Sequence, residues 1–262
     1  MKYCRLIVDG NPQFGLIEPV AGHDAVIGIL AAPGAPLRVE KNWSMRLADA
    51  TLLAPVEPSK IVCIGRNYRD HAAELGNKAP DEPLIFLKPP SSLLDPGGKI
   101  ILPPSSSRVD HEGELGVVIG KTCRNLVSDD DVRPYILGYT CVNDVTARDL
   151  QKKDVQFTRG KGFDTFCPVG PIVTDEIDPW AGVAVQTRVN GDLRQDGNTR
   201  DFIFPLDVVI RFISQVMTLL PGDLIATGTP SGVGPLGNGD AVSVAIPGVG
   251  SLENHVARKT EC

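Results

Sequence analysis

A chain of 262 residues, 42% apolar and 22% charged, has the size and mixture of a globular protein with a sizeable buried core. Its 27 glycines and 22 prolines are too dense for a coiled coil or an all-helical bundle. A net charge of −6 gives no electrostatic footprint for nucleic acid, and the longest apolar run, 25–32, is far short of the roughly 20 residues that cross a bilayer.

In chain order, Met1 to Arg5 leads only into Leu6-Ile7-Val8, which reads as a strand and lacks the apolar core of a leader peptide. Ala25 to Leu30 is a second strand, and both belong to a small β-rich N-terminal domain, 1–57, followed by a catalytic domain, 58–262. The boundary is Pro55-Val56-Glu57-Pro58, where two prolines stiffen the chain. Ile61 to Ile64 is a buried strand ending at Gly65. Asn67 to Leu75 predicts a helix, with Gly76-Asn77 as its stop signal. Strands follow at 84–87, 100–102 and 111–119. Ser128-Asp129-Asp130-Asp131 resembles a helix N-cap with acids in the first turn. Asn190-Gly191 marks a hairpin between Val183–Val189 and Leu193. Pro205 to Leu219 carries Leu206, Val209, Ile210, Ile213 and Met217 on one helical stripe. Leu224 to Ala226 and Val242 to Ile246 complete the strands. Six scattered cysteines with no CxxC pair read as buried, reduced thiols, which places the chain in the cytoplasm.

Three motifs fail on their context. Residues 232–237 match the glycine fingerprint of dinucleotide folds, but Pro235 and Asn238-Gly239 lead into a strand where a helix is required. Gly120-Lys121-Thr122 lacks the upstream glycine of a phosphate loop. His111-Glu112 has Leu115 where a zinc-protease helix needs its second histidine.

The residues that carry chemistry lie elsewhere. On a strand through 110–119, Leu115, Val117 and Ile119 face one way while Glu112 and Glu114 face the other. Two carboxylates on one face repel unless a cation joins them, and a hard divalent ion prefers oxygen donors; the alternative is a solvated face with two surface acids. Asp144 closes an apolar stretch. On a helix starting at Val145, Asp144, Arg148 and Gln151 share a face, giving either an ordinary acid–arginine pair or a third oxygen ligand beside anion-holding groups. His71 and Glu74, three residues apart on a helix, make an imidazole oriented by a carboxylate, a general base for water; a lone surface histidine is the plainer reading. Lys161 stands between Gly160 and Gly162, which permit close approach to a ligand. Residues 228–232 offer backbone N–H groups and the Thr229 hydroxyl to a carboxylate.

Together these motifs resemble the fumarylacetoacetate hydrolase family over roughly residues 60–250. The resemblance is carried by Gly65-Arg66-Asn67-Tyr68 with His71 and Glu74, by Phe86-Leu87-Lys88-Pro89, and by 111–116. It continues through 143–151, Lys161-Gly162-Phe163-Asp164 and Thr227-Gly228-Thr229-Pro230. It implies an α+β, mainly β fold: a mixed β-roll with a small N-terminal domain, assembled as a homodimer. It also implies Mg²⁺ or Mn²⁺ on Glu112, Glu114 and Asp144, a His71–Glu74 dyad on a lid over residues 66–82, Lys161 beside the developing oxyanion, and Arg148, Gln151 and Thr229 against substrate. The larger eukaryotic hydrolase of the family has a further metal-binding aspartate seven residues before its histidine, and Ile64 stands there in this chain. That favours the shorter members. The implied activity is metal-dependent C–C cleavage of a small 2-oxo acid such as an acylpyruvate or fumarylpyruvate, or decarboxylation of oxaloacetate, through a metal-bound pyruvate enolate. The rivals are a 2-hydroxyhepta-2,4-diene-1,7-dioate isomerase or 5-oxopent-3-ene-1,2,5-tricarboxylate decarboxylase, and an inactive metal-binding scaffold.

Overall fold

Strands dominate the architecture in the computed structural model, which describes residues 1–35, 37–38, 43–74 and 80–258. The main path of the largest sheet runs Leu37–Arg38, His23–Leu30, Asn11–Val20, Lys2–Val8, Cys167–Thr174, Ile136–Asn143, Gly113–Ile119, Leu224–Ala226, Ile61–Gly65 and Leu84–Lys88. A second sheet orders Lys99–Leu102, Gly250–Arg258, Ala241–Ile246, Ala184–Val189 and Asp192–Asn198. Both are mixed: Leu224–Ala226 runs parallel to Ile61–Gly65, and Lys99–Leu102 parallel to Gly250–Arg258. The N-terminal strands join the large sheet directly, with Lys2 opposite Thr174 and Tyr3 opposite Val173.

Gly113–Ile119 lies at the centre and is buried along its whole length. Leu115, Val117 and Ile119 pack into one apolar cluster with Val185, Val244 and Leu252 of the second sheet and with Leu206, Val209, Ile210 and Ile213 of the helix Leu206–Val216. Val118 joins a second cluster on the opposite face with Val142, Val169 and Tyr3. Two-sided burial is what makes this strand a rigid platform for any group it carries.

Four local expectations are corrected. The strand predicted through 111–119 is broken at Glu112 into Val109–His111 and Gly113–Ile119. The helix expected from Val145 begins at Arg148, because 146–147 pair with Val109–His111 in a small third sheet. Residues 128–131 form a turn closed by the Val127 amide on Asp130, and only a short 3₁₀ turn, Arg133–Tyr135, follows. After Val242–Ile246 comes one more strand, Gly250–Arg258, whose Leu252, Asn254 and Val256 alternate inward. The helix after Asn67 spans Arg69–Glu74; Leu75 and the stop signal Gly76-Asn77 lie outside the described residues, as does part of the expected lid. Cys4, Cys63, Cys123, Cys141 and Cys167 are buried free thiols, and Cys262 lies outside the described residues. No described helix is long and apolar enough to cross a membrane.

Candidate active site

The break in the central strand makes the site. At Glu112 the backbone leaves the ladder: its N–H donates to Asn143 Oδ1 at 3.0 Å, and its carbonyl accepts from the Asp144 amide at 2.8 Å. This reciprocal clasp carries the end of strand Ile136–Asn143 against the kink, so Asp144 arrives beside Glu112 and Glu114 from a strand turn, with no helix needed. One oxygen from each of the three carboxylates lies within 4.8 Å of the other two. Glu112, Glu114 and Asp144 are 4%, 2% and 1% exposed, which excludes a solvated strand face.

Cations bracket the triad. Arg148 donates through Nη2 to Glu112 Oε1, through Nε to Asp110 at 3.0 Å, and through Nη1 to Gln151 at 2.8 Å. Lys161, on the short helix Thr158–Lys161, donates to Glu112 Oε2 at 2.7 Å and to Asp144 Oδ2. Lys88 donates to Asp144 Oδ1 at 2.6 Å and to the Val145 carbonyl at 3.2 Å. Burial alone would push the Glu112 carboxyl up, but Lys161 and Arg148 outweigh it and hold the group far below the usual range. Among the described residues Glu114 has no such partner. Burial, together with the Asp144 and Glu112 charges, pushes its carboxyl well above the ordinary value, against only the Gly228 amide at 2.8 Å and the more distant Lys161 charge. Burial opposes the charged form of Lys161 too, yet Asp144 and Glu112 keep its ammonium above the usual lysine range.

A cavity of about 580 Å³ opens over this cluster, within the range of small-molecule sites. His71, Glu74, Glu112, Glu114, Asp144, Arg148, Gln151, Lys161 and Thr229 all line it, so every residue singled out in the sequence reaches one space. His71 Nδ1 sits 3.3 Å from Glu74 Oε2, and the Gly232 amide donates to Glu74 Oε1 at 3.1 Å. The helix bearing this pair is pinned at its start by Asn67, which donates to the Thr227 carbonyl at 2.8 Å and accepts from the Phe204 amide at 2.8 Å. Ile64, where a fourth carboxylate stands in the larger hydrolase, is a buried apolar part of the cavity wall.

The loop 228–232 offers its amides to carboxylates, as its sequence suggests, and those carboxylates belong to the chain itself. Its amides serve Glu114 and Glu74, and Thr229 Oγ1 donates to the Gly113 carbonyl at 2.8 Å while accepting from Gln195 Nε2 at 2.7 Å. Gly228 is a forced glycine: its φ is +100°, and a Cβ would fall 2.6 Å from Asn67 Cβ. Four further residues escaped the sequence reading as site groups. Lys88 was visible only as part of a motif. Asp110, fully buried between Arg108 and Arg148, shares the strand alternation of Glu112 and Glu114 and went unused, whereas Gln195, which accepts from the Gly113 amide at 2.9 Å, had no spacing signal. Arg108 reaches the cavity wall from the same segment. His111 stays out of the triad, with Nδ1 3.2 Å from Gln195 Oε1; burial lowers its basicity despite that bond.

The donor set fits a hard divalent ion. Three buried oxygens converge, and the burial and neighbouring charges that hold Glu114 up are what a cation among them would offset. Residues 60–257 match the fumarylacetoacetate (FAA) hydrolase C-terminal family. The chain belongs to the fumarylacetoacetate hydrolase family. Residues 1–55 match the Rv2993c-like N-terminal family. Oxaloacetate tautomerase YisK of Bacillus subtilis is 45% identical over 229 residues, covering 82% of this chain and 76% of that protein. The 2,4-didehydro-3-deoxy-L-rhamnonate hydrolase of a Sphingomonas species is 39% identical over 98% of this chain and 96% of its own. Among solved family structures, the 2-hydroxyhepta-2,4-diene-1,7-dioate isomerase of Mycobacterium marinum superposes with a TM-score of 0.88 at 43% identity, covering both chains completely. Members of this family are enzymes, and hydrolase, isomerase and tautomerase names all stand among these relatives.

Proposed function

We propose that this chain is a divalent-metal-dependent enzyme of small 2-oxo acids, cleaving the C3–C4 bond of an acylpyruvate such as fumarylpyruvate, or decarboxylating oxaloacetate, by way of a pyruvate enolate. The observation that carries the reading is the convergence of three buried carboxylates, one of them pushed up by burial and by the other two, beneath a cavity walled by Lys161, Arg148 and His71. Mg²⁺ or Mn²⁺ on Glu112, Glu114 and Asp144 would supply Lewis acidity toward a 2-oxo oxygen. Lys161 contributes a buried positive charge for the oxygen that gains charge as the bond breaks. Arg148, fixed by Asp110 and Gln151, presents its guanidinium toward an anionic substrate without free rotation. His71, oriented by Glu74, takes a proton from the water that attacks the distal carbonyl; in decarboxylation that step falls away.

A second reading, proton transfer without cleavage, is favoured by the names of the tautomerase and isomerase relatives. Oxaloacetate, acetylpyruvate and fumarylpyruvate, each incubated with the protein at fixed Mg²⁺, separate the two. Pyruvate release supports cleavage, and a product of unchanged mass supports the second reading. His71→Ala is expected to lower acylpyruvate hydrolysis roughly 10²–10⁴-fold while sparing oxaloacetate decarboxylation. Full retention of hydrolysis would remove the histidine from the reaction.

A further inference from the structure

Two carboxylates of the triad, Glu112 and Asp144, each have a cationic anchor of their own and share one further cation. Glu112 is fixed through Oε1 by Arg148, which Asp110 and Gln151 hold in turn. Asp144 is fixed through Oδ1 by Lys88, which the Val145 carbonyl also holds. Lys161 alone among the described residues bridges the two, taking the remaining oxygen of each, Glu112 Oε2 and Asp144 Oδ2. Those two oxygens are the ones left for an ion once Arg148 and Lys88 have taken the others. An ion at about 2.1 Å from an oxygen that also accepts from an ammonium at about 2.7 Å would face that ammonium across a few ångströms of low-dielectric protein. Such repulsion lowers affinity by orders of magnitude unless the lysine moves. It has room to do so: Lys161 ends its short helix before Gly162 and lines the cavity.

We propose that the Lys161 ammonium and a divalent cation are alternative occupants of the same two carboxylate oxygens, Glu112 Oε2 and Asp144 Oδ2, so that ion entry drives Lys161 off the triad and into the cavity. The inference rests on the metal reading above and adds to it a built-in competitor. It gives Lys161 two positions: one balances the carboxylates, and the other carries its charge off them into the cavity that Lys161 already lines.

The test uses Mn²⁺ alone. Competition against a chelator of known affinity compares the wild type with Lys161→Met and Lys161→Gln, and with Lys88→Met, which removes the same charge without freeing a shared oxygen. All are purified with Mn²⁺ present, so that the ion replaces the missing charge. Both Lys161 variants are expected to bind Mn²⁺ at least tenfold more tightly than the wild type and more tightly than Lys88→Met. A crystal structure of the wild type with Mn²⁺ is expected to show Nζ beyond 3.5 Å from both oxygens. The proposal is overturned if Mn²⁺ sits on the triad with Lys161 still bonded to both oxygens. It is equally overturned if the Lys161 variants bind within twofold of the wild type, or fail to fold even with Mn²⁺ present. If no chain, variant or wild type, binds Mn²⁺ at the triad, the metal reading itself fails, a different result from any of these.

Discussion

Lys88 shows how much a single side chain decides here. It is 1% exposed on the strand Leu84–Lys88, and its ammonium reaches a carboxylate that is equally buried. Leaving one partner of such a pair in the interior costs about 3–5 kcal/mol, far more than the pair is worth against an apolar replacement. Lys88→Met should therefore lower stability to urea by about that amount, and adding Asp144→Asn should recover part of the loss, because the neutral amide no longer needs the missing charge. A Lys88→Met protein as stable as the wild type would show that Lys161 alone suffices for Asp144. Beyond its place in the motif Phe86-Leu87-Lys88-Pro89, no local pattern distinguished Lys88 from a strand-end lysine, since its significance depends on a residue 56 positions away. His71 and Glu74 were legible for the opposite reason: their spacing of three already implies contact on any helix.

At the level of elements, legibility followed periodicity. The helix Leu206–Val216 and the hairpin at Asn190-Gly191 emerged where their patterns placed them, because a repeated stripe or a specific turn dipeptide is local information. The kink at Glu112 and the late helix start at Arg148 did not, because both are imposed by long-range pairing: Arg148 donates its amide to the Arg108 carbonyl, and 146–147 pair across to 109–110. Asp149 secures that helix. Its carboxylate accepts from Ser106 Oγ at 2.6 Å, from the Ser107 amide at 2.9 Å, from Ser107 Oγ at 3.0 Å and from the Leu150 amide at 2.9 Å. What burial the group has works to raise its pKa, but the serine bonds prevail and hold it at about 2. A carboxyl depressed in the fold contributes stability fully present above its unfolded value near 3.9 and lost as pH falls toward 2. Asp149→Asn should cost about 1 kcal/mol at pH 6, and the gap in urea midpoint should narrow between pH 5 and pH 3. A gap independent of pH would assign the effect to shape and not to charge.

Across the whole molecule, the site is assembled from segments that only the sheet order brings together: a central strand, the end of its neighbour, three short helices and a loop from near residue 230. Their shared carboxylates couple ion binding to global stability, and Glu114 gives that coupling a sign. A carboxyl raised in the fold means the folded state holds more protons than the unfolded chain, so stability falls as pH rises past the unfolded value near 4.3. Glu114→Gln removes that burden. In the presence of a chelator at pH 7–8 it should melt at or above the wild type, with the difference widening at the higher pH. With Mn²⁺ and oxalate, a mimic of the pyruvate enolate, at about a hundredfold excess over their dissociation constants, the wild type should gain about 2.7 kcal/mol, or roughly 5–10 °C in melting temperature. Glu114→Gln should gain little, so the order of the two proteins reverses between the two conditions. A wild type that melts at the same temperature with and without Mn²⁺ and oxalate would leave the three carboxylates as a structural charge cluster held together by Arg148, Lys88 and Lys161.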